Sequence, residues 1–275
     1  MHQLKIEFLI STVNRTNLDF LKSIFSNFDL EDIDVLVINQ CDKNNIKEAK
    51  ELKSTKRIKI ISVQDRGLSK SRNLALSNST GDICLIADDD IVYNSNIFQR
   101  IKSDYKNNSF DIITYSSKIG SKPNKKNPEN ILISPHNYGS LFSIMSIQIT
   151  FLRKSIIKRG LSFDTQFGIA SGTYASGEEN IFIKDCMDIG LSVGKSCFEI
   201  NHHPEQLNTS VLTYSVLKSK GPLFKRMFNQ WAAFWILLVF FIYKAPLIIR
   251  STNFINSFYI SLIEMIKYQK PKSKG

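Results

Sequence analysis

Glycine and proline are scarce in this chain, 12 and 7 of 275 residues, which excludes a collagen-like repeat or a chain dominated by linkers. Cysteine is scarcer still. Cys41, Cys84, Cys186 and Cys197 form no CxxC pair and stand at no zinc-like spacing to a histidine. Cys84, set in an apolar run, reads as a buried free thiol. The first twelve residues lack a small-residue cleavage pattern and carry Glu7 inside their apolar portion, which argues against a secretory signal and for the reducing cytoplasm. There is no internal repeat. Acids are in deficit, 25 against 36 Lys and Arg, but the surplus is local. Ten basic residues and one acid, Glu264, lie from Lys218 onward, so residues 1–217 carry only +2. A nucleic-acid protein distributes its basic residues over a folded reading surface, and the near-neutral first part argues against that partner.

What is present is enough apolar mass for a globular core, 43% hydrophobic and 11% aromatic. Short Ile- and Val-rich runs at 6–10, 35–38, 58–63, 83–87 and 112–115 have the length and continuity of strands covered on both faces. Helical patterns at 18–28, 46–52, 69–77 and 97–105 lie between them, which predicts a mainly parallel α/β sheet with right-handed crossovers. In such sheets ligands sit beyond the carboxyl ends of the strands, so 12–15, 39–40, 65–72 and 88–90 are the residues to watch. Residues 116–137, broken by Pro123, Pro128 and Pro135, read as a long surface loop or lid. An apolar block at 144–152, a Gly/Ser-rich passage, a helix over 181–189 and a last strand at 197–200 follow.

Residues 231–243 are thirteen uncharged, mostly apolar positions, short of the roughly 20 a spanning helix needs and then interrupted by Lys244 and Pro246. With basic residues on both flanks, the expectation is a helix lying on or dipping into the cytoplasmic leaflet. Trp231, Phe234 and Trp235 would sit at the interface, with Lys225, Arg226, Lys244 and Arg250 toward anionic groups. A single span and a buried helix with a solvated basic tail are the other readings.

The strongest chemical signal is Asp88-Asp89-Asp90 at the end of an apolar strand. Adjacent carboxylates repel unless something positive sits among them, and a divalent metal bridging a diphosphate is the natural partner. An acidic turn capping a helix explains one aspartate but not three. Upstream, Gly67 permits a turn, Ser69 can cap a helix, and Lys70 and Arg72 in its first turn oppose the helix dipole, as cations that answer a bound phosphate would. Asp88-x-Asp90-x-Val92 also fits a haloacid-dehalogenase-type phosphatase, although that motif normally opens its fold.

Gly67-Leu68-Ser69-x-Ser71-Arg72-Asn73-x-Ala75, then Gly81-Asp82-Ile83 and the strand into Asp88-Asp89-Asp90, resembles the nucleotide-sugar half of family-two glycosyltransferases. Gly177-Glu178-Glu179-Asn180-Ile181-Phe182 resembles their later acidic motif and His203-Pro204-Glu205 their histidine segment. The similarity is greatest to bacterial capsule, exopolysaccharide and lipopolysaccharide transferases that extend a lipid-linked glycan. The resemblance implies an α/β, Rossmann-like GT-A domain over 1–225, and the basic, apolar composition of 226–275 adds a membrane-associating helical tail. It implies an inverting reaction with Mn2+ or Mg2+, a nucleotide-diphosphate sugar donor (a UDP-sugar by family frequency) and a polyprenyl-diphosphate-linked acceptor. By the same resemblance Thr12, Asn14, Arg15, Asn39 and Gln40 line the base and ribose pocket, Asp65 contacts the base, and Arg72 the nucleotide or its phosphates. Asp88, with Asp89 beside it, holds the ribose or sugar end, and Asp90 and His203 (or His202) serve the metal. Glu179 is the base and Glu178 binds or orients the acceptor. A non-catalytic membrane-bound scaffold is the alternative, and the presence of Asp90 and Glu179 speaks against it.

Overall fold

The structure, a computed structural model, describes residues 4–120, 131–203 and 212–270. Pro123, Pro128, Pro204, Glu205, Lys272 and Lys274 therefore lie outside the described residues. The chain runs β1 (Ile6–Val13), α1 (Asp19–Ile24), β2 (Asp34–Gln40), α2 (Ile46–Glu51), β3 (Ile58–Val63), α3 (Leu68–Asn78) and β4 (Ile83–Asp88). Then come β5 (Val92–Tyr93), α4 (Ile97–Asn107), β6 (Ile112–Ile119), β7 (Ser134–Pro135), β8 (Ile149–Leu152) and α5 (Arg153–Lys158). The last elements are α6 (Glu178–Asp188), β9 (Val193–His203), α7 (Tyr214–Met227), α8 (Gln230–Ser251) and α9 (Phe254–Lys267).

The strands form one sheet in the order β3-β2-β1-β4-β8-β6-β9-β5, with β7 also on β9. β1 to β4 are parallel, as the alternating pattern predicts. The remainder is mixed: β6 and β9 are parallel, whereas β8 runs antiparallel between β4 and β6, and β5 and β7 run antiparallel to β9. A parallel neighbour needs a crossover, usually helical, and the described residues between β6 and β8 contain only short 3-10 turns. β4 and β9 both deliver their carboxyl ends to the same region, which is where the candidate site lies.

The continuous apolar runs are explained by a core on each face of the sheet. Phe8, Ile10, Val35, Val37 and Leu85 join α1 and α4 on one side. Leu9, Leu36, Ile38 and Ile86 join α3 and α6 on the other, and the C-terminal helices continue that second core. Period-two alternation is present, but both faces are apolar, so it is invisible in the sequence. Gly81-Asp82 serves the opposite end of the sheet. Buried Glu7 accepts hydrogen bonds from the Gly81 and Thr80 amides at 2.8 and 2.6 Å, and Asp82 accepts from the Lys5 amide at 2.8 Å.

α7 and α9 approach closely through small residues. The Gly221 amide donates to Ser261 Oγ at 2.9 Å, and Ser219, Ser257 and Ser261 are fully buried. A Cβ at Gly221 would lie 2.0 Å from the Ser261 carbonyl oxygen. Gly221→Val should thus destabilise the fold by at least the ~1–3 kcal/mol of an overpacked core, read as a lower denaturant midpoint. An unchanged midpoint would mean the helices separate at no cost.

α8 differs from its sequence reading. It runs 22 residues without a break through Lys244 and Pro246. Pro246 sits on an exposed face, so the hydrogen bond it removes faces outward, while Phe241 and Ile248 on the inner face keep their packing. The helix is long and apolar enough to cross a membrane, with a mean hydropathy of 2.2. Ala233, Leu237, Phe241 and Ile248 are buried, whereas Trp231 and Trp235 are 80% and 60% exposed. Arg226 does not point outward as the sequence reading has it: it pairs with Asp164 at 2.9 Å and Asp185 at 2.7 Å, fastening α7 to α6 and the segment before it.

Candidate active site

Three consecutive carboxylates end β4, and the fold gives each its own partner. Asp88 lies 3.5 Å from Arg72 Nη2, Asp89 lies 2.7 Å from Arg15 Nη2, and Asp90 lies 3.0 Å from His203 Nε2. Thr12 Oγ1 also donates to Asp89. Burial pushes the Asp88 carboxyl above the ordinary carboxylate range, against the opposing pull of Arg72. The aspartates therefore do not converge on one ion. Among the described residues no group of three or more His, Cys, Asp or Glu is gathered to hold a metal by itself. Asp90 and His203 supply two donors. Successive strand residues point to opposite faces, so His203, at the end of β9, faces Asp90 and its neighbour His202 does not.

These aspartates wall a cavity of about 240 Å³ whose other sides are Thr12 and Gln40, Arg66, and the Ile169–Ala170 stretch. A second cavity of about 420 Å³ shares Gln40 and is lined by Asp65, Lys70 and Ser71. Thr12, Gln40, Asp65, Asp88, Asp89 and Asp90 thus all face open volume beyond the strand ends. Seven other expected residues line neither cavity: His203, Glu178 and Glu179, and the four that follow. Asn39, 1% exposed, uses its amide to bracket the Arg15 backbone, donating to its carbonyl at 2.7 Å and accepting from its amide at 3.0 Å. Asn14, in the left-handed region at φ 53°, exchanges hydrogen bonds with Asp42. Arg15 reaches across to Asp89. Arg72, 1% exposed, lies beneath the cavity rather than in it.

The partner of Arg72 explains this. Its Nη1 donates to Glu178 Oε1 at 2.8 Å, and the two side chains are 2% and 7% exposed. The ring of Phe163 packs 5.6 Å from the guanidinium carbon. Lys70 likewise pairs with Asp65 at 2.9 Å. The cations of α3 therefore answer protein carboxylates, not an open anion site. Ser69 does not cap α3: Gly67 holds that position and Ser69 Oγ donates to the Phe167 carbonyl at 2.6 Å.

α6 begins with the acidic pair, as its own dipole favours. Gly177 turns the chain into it at φ 103°, where a Cβ would lie 2.7 Å from the Leu223 side chain. Glu178 is 5% exposed and its carboxylate is tied to Arg72. Glu179 is half-buried, and burial together with the Glu178 charge raises its pKa to about 8.

Sequence reasoning gave Arg66 no role of its own within 65–72 and missed its partner Asp42, 2.6 Å away beside Asn14, and the Ile169–Ala170 cover. Arg66 lies within the motif stretch and Asp42 two residues past Gln40, so proximity is the available signal. The cover has none, because it docks by backbone, Leu68 N to Ile169 O at 2.9 Å.

The profile of glycosyl transferase family 2 matches residues 8–182, from β1 into α6. The chain belongs to that family. It is a glycosyltransferase with a mixed-sheet, Rossmann-like GT-A fold, and membership leaves no place for the phosphatase reading of Asp88 and Asp90. Among solved structures, S. aureus TarS 1-349 superposes with a TM-score of 0.56 at 13% identity, over 96% of this chain and 71% of that one. TarS 1-349 in complex with UDP-GlcNAc gives 0.55 at 13%, over 82% and 67%. Against the longer TarS structure the transferase spans 38% of the length, with a TM-score of 0.55 at 12% identity. At these identities the likeness is one of fold. No curated protein matches the transferase.

Proposed function

We propose that the transferase moves a sugar, with inversion, from a nucleotide-diphosphate sugar to a lipid-linked saccharide during cell-surface polysaccharide synthesis, of the capsule, exopolysaccharide or lipopolysaccharide kind. The observation that carries this is the Asp90–His203 pair, 3.0 Å apart, beside the cavity beyond the parallel strand ends. Asp90 is more than half exposed, and its carboxylate with the His203 imidazole would hold a Mn2+ or Mg2+ ion. When bound, the ion supplies charge neutralisation at the departing diphosphate. Uridine is the proposed base, supported by the UDP-GlcNAc complex of the fold neighbour TarS.

The rest of the step belongs to the chain's own residues. Thr12, Gln40 and Asp65 bound the nucleotide's space, and the Arg15–Asp89 pair fixes one wall. The acceptor hydroxyl oxygen forms a bond to the anomeric carbon from the face opposite the diphosphate. The anomeric carbon–oxygen bond breaks with its electron pair leaving on the diphosphate, and the hydroxyl proton passes to the Glu179 carboxylate. Arg72 and Glu178 act as positioning residues, holding α3, α6 and Asp88 together beneath the site.

Glu179 must be ionised to accept that proton. Its pKa is raised to about 8, so the base is lost on acidification. Below that value kcat/KM should fall about tenfold per pH unit, and above it should level off. A flat profile from pH 6 to 9 would remove Glu179 from this role.

Membrane attachment is proposed from α8. Its outward face carries Trp231, Trp235, Val239, Ile242 and Ile249, all at least 60% exposed, and suits the cytoplasmic face of a membrane that also holds the acceptor. The whole proposal is tested by titrating full-length protein with nucleoside diphosphates with and without Mn2+. Uridine diphosphate should bind, more tightly with Mn2+, and Asp90→Ala should remove only the metal-dependent gain. Absence of nucleotide binding under all conditions would overturn the donor reading.

A further inference from the structure

A cavity of about 500 Å³ lies apart from the donor site, between α7 and α8. Leu223 and Phe224 form one wall, and Trp235, Val239 and Phe240 the other. Its lining also includes Asn180 of α6, the residue after Glu179, and Tyr243 of α8, 76% exposed. Its size falls in the range of ligand pockets, roughly 300–1,000 Å³. Lys220 and Lys244 are the only charged side chains that line it.

We propose that this groove seats the apolar chain of a lipid-borne acceptor, with Lys220 and Lys244 meeting its phosphate groups and its sugar end carried toward Glu179. This deepens, and rests on, the lipid-linked acceptor reading above. Two features favour that occupant. Two ammonium groups in an apolar trough match an amphiphile with an anionic head, and neither lysine lies within ion-pairing distance of a carboxylate among the described residues. Burial pulls the Lys220 pKa below its ordinary value, and the Glu179 and Glu178 charges oppose this. A lipid that only anchors the protein needs no more than the outer face of α8, whereas this cavity is lined by Asn180 of α6 as well as by α7 and α8.

The test uses full-length protein in detergent micelles, with Trp235 emission as the reporter in a Trp231→Phe background. Polyprenyl diphosphate is titrated against polyprenol, inorganic diphosphate and phosphatidylglycerol, and uridine diphosphate binding is measured in parallel. Polyprenyl diphosphate should bind at least about tenfold more tightly than polyprenol, as expected for charge-assisted contacts. Lys220→Ala with Lys244→Ala should erase that advantage. Val239→Phe, at a position 62% exposed and lining the groove, should weaken binding of the chain itself. Uridine diphosphate binding should not change in any variant. Equal binding of polyprenyl diphosphate to wild type and the lysine variant would overturn the proposal. So would phosphatidylglycerol with the same affinity and the same sensitivity, which would make the groove a seat for bulk lipid. Loss of uridine diphosphate binding in the wild type alone, with lipid selectivity intact, would sink the donor reading and support the groove.

Discussion

Glu179→Gln should lower kcat by about 10²–10⁴-fold, the usual contribution of a positioned general base, while leaving the affinity for uridine diphosphate unchanged. Glutamine keeps the shape and hydrogen-bonding reach of the side chain at the start of α6 but cannot take the acceptor's proton. The split is diagnostic: initial rates should collapse, whereas a titration with uridine diphosphate and Mn2+ should superpose on the wild type. The substitution also removes one of two adjacent negative charges in a desolvated turn, so stability should hold or rise. A variant within a few-fold of wild-type turnover would place the base elsewhere.

Arg72→Met should be the most destabilising single change near the site, at about 3–5 kcal/mol, because it leaves the buried Glu178 carboxylate without its partner 2.8 Å away and takes the opposing charge from Asp88. Replacing Glu178 by Gln in the same chain removes the stranded charge and should recover part of the loss. Denaturant midpoints of the two single variants and the double variant measure this as a cycle. If Arg72→Met unfolds at the wild-type midpoint, the pair is not the clamp between α3 and α6 described here. If the double variant is no better than the single, the cost lies in lost packing against Phe163, not in charge.

Element identity was legible wherever local pattern decides it. The third run, residues 58–63, coincides with β3, and the acidic run stands at the carboxyl end of β4 as read. What escaped depended on distant partners. β9 begins at Val193, four residues before its apolar run, because Gly194 and Lys195 pair with β6 and β7 and carry no apolar signal. α8 passes through Pro246 because packing on its inner face outweighs one outward hydrogen bond. The residue types of the site were likewise legible, but their partners were not. Arg72 meets a carboxylate 106 positions away, and motif spacing alone cannot separate a cation that awaits phosphate from one already paired. Asn39 shows the same limit, since an amide at a strand end bonds as readily to backbone as to a ligand. Between His202 and His203 only strand register chooses, by turning one of them toward Asp90.

The most direct test of the account follows a labelled sugar from its uridine diphosphate donor into an organic-soluble lipid fraction with full-length protein and Mn2+, counting nucleoside diphosphate released in the same reaction. The account predicts one sugar incorporated per diphosphate released, loss of both on chelation, and loss of both in Asp90→Ala. Incorporation that persists at the wild-type rate in Asp90→Ala, or the absence of any release above that variant's background across the nucleotide sugars tried, would contradict it.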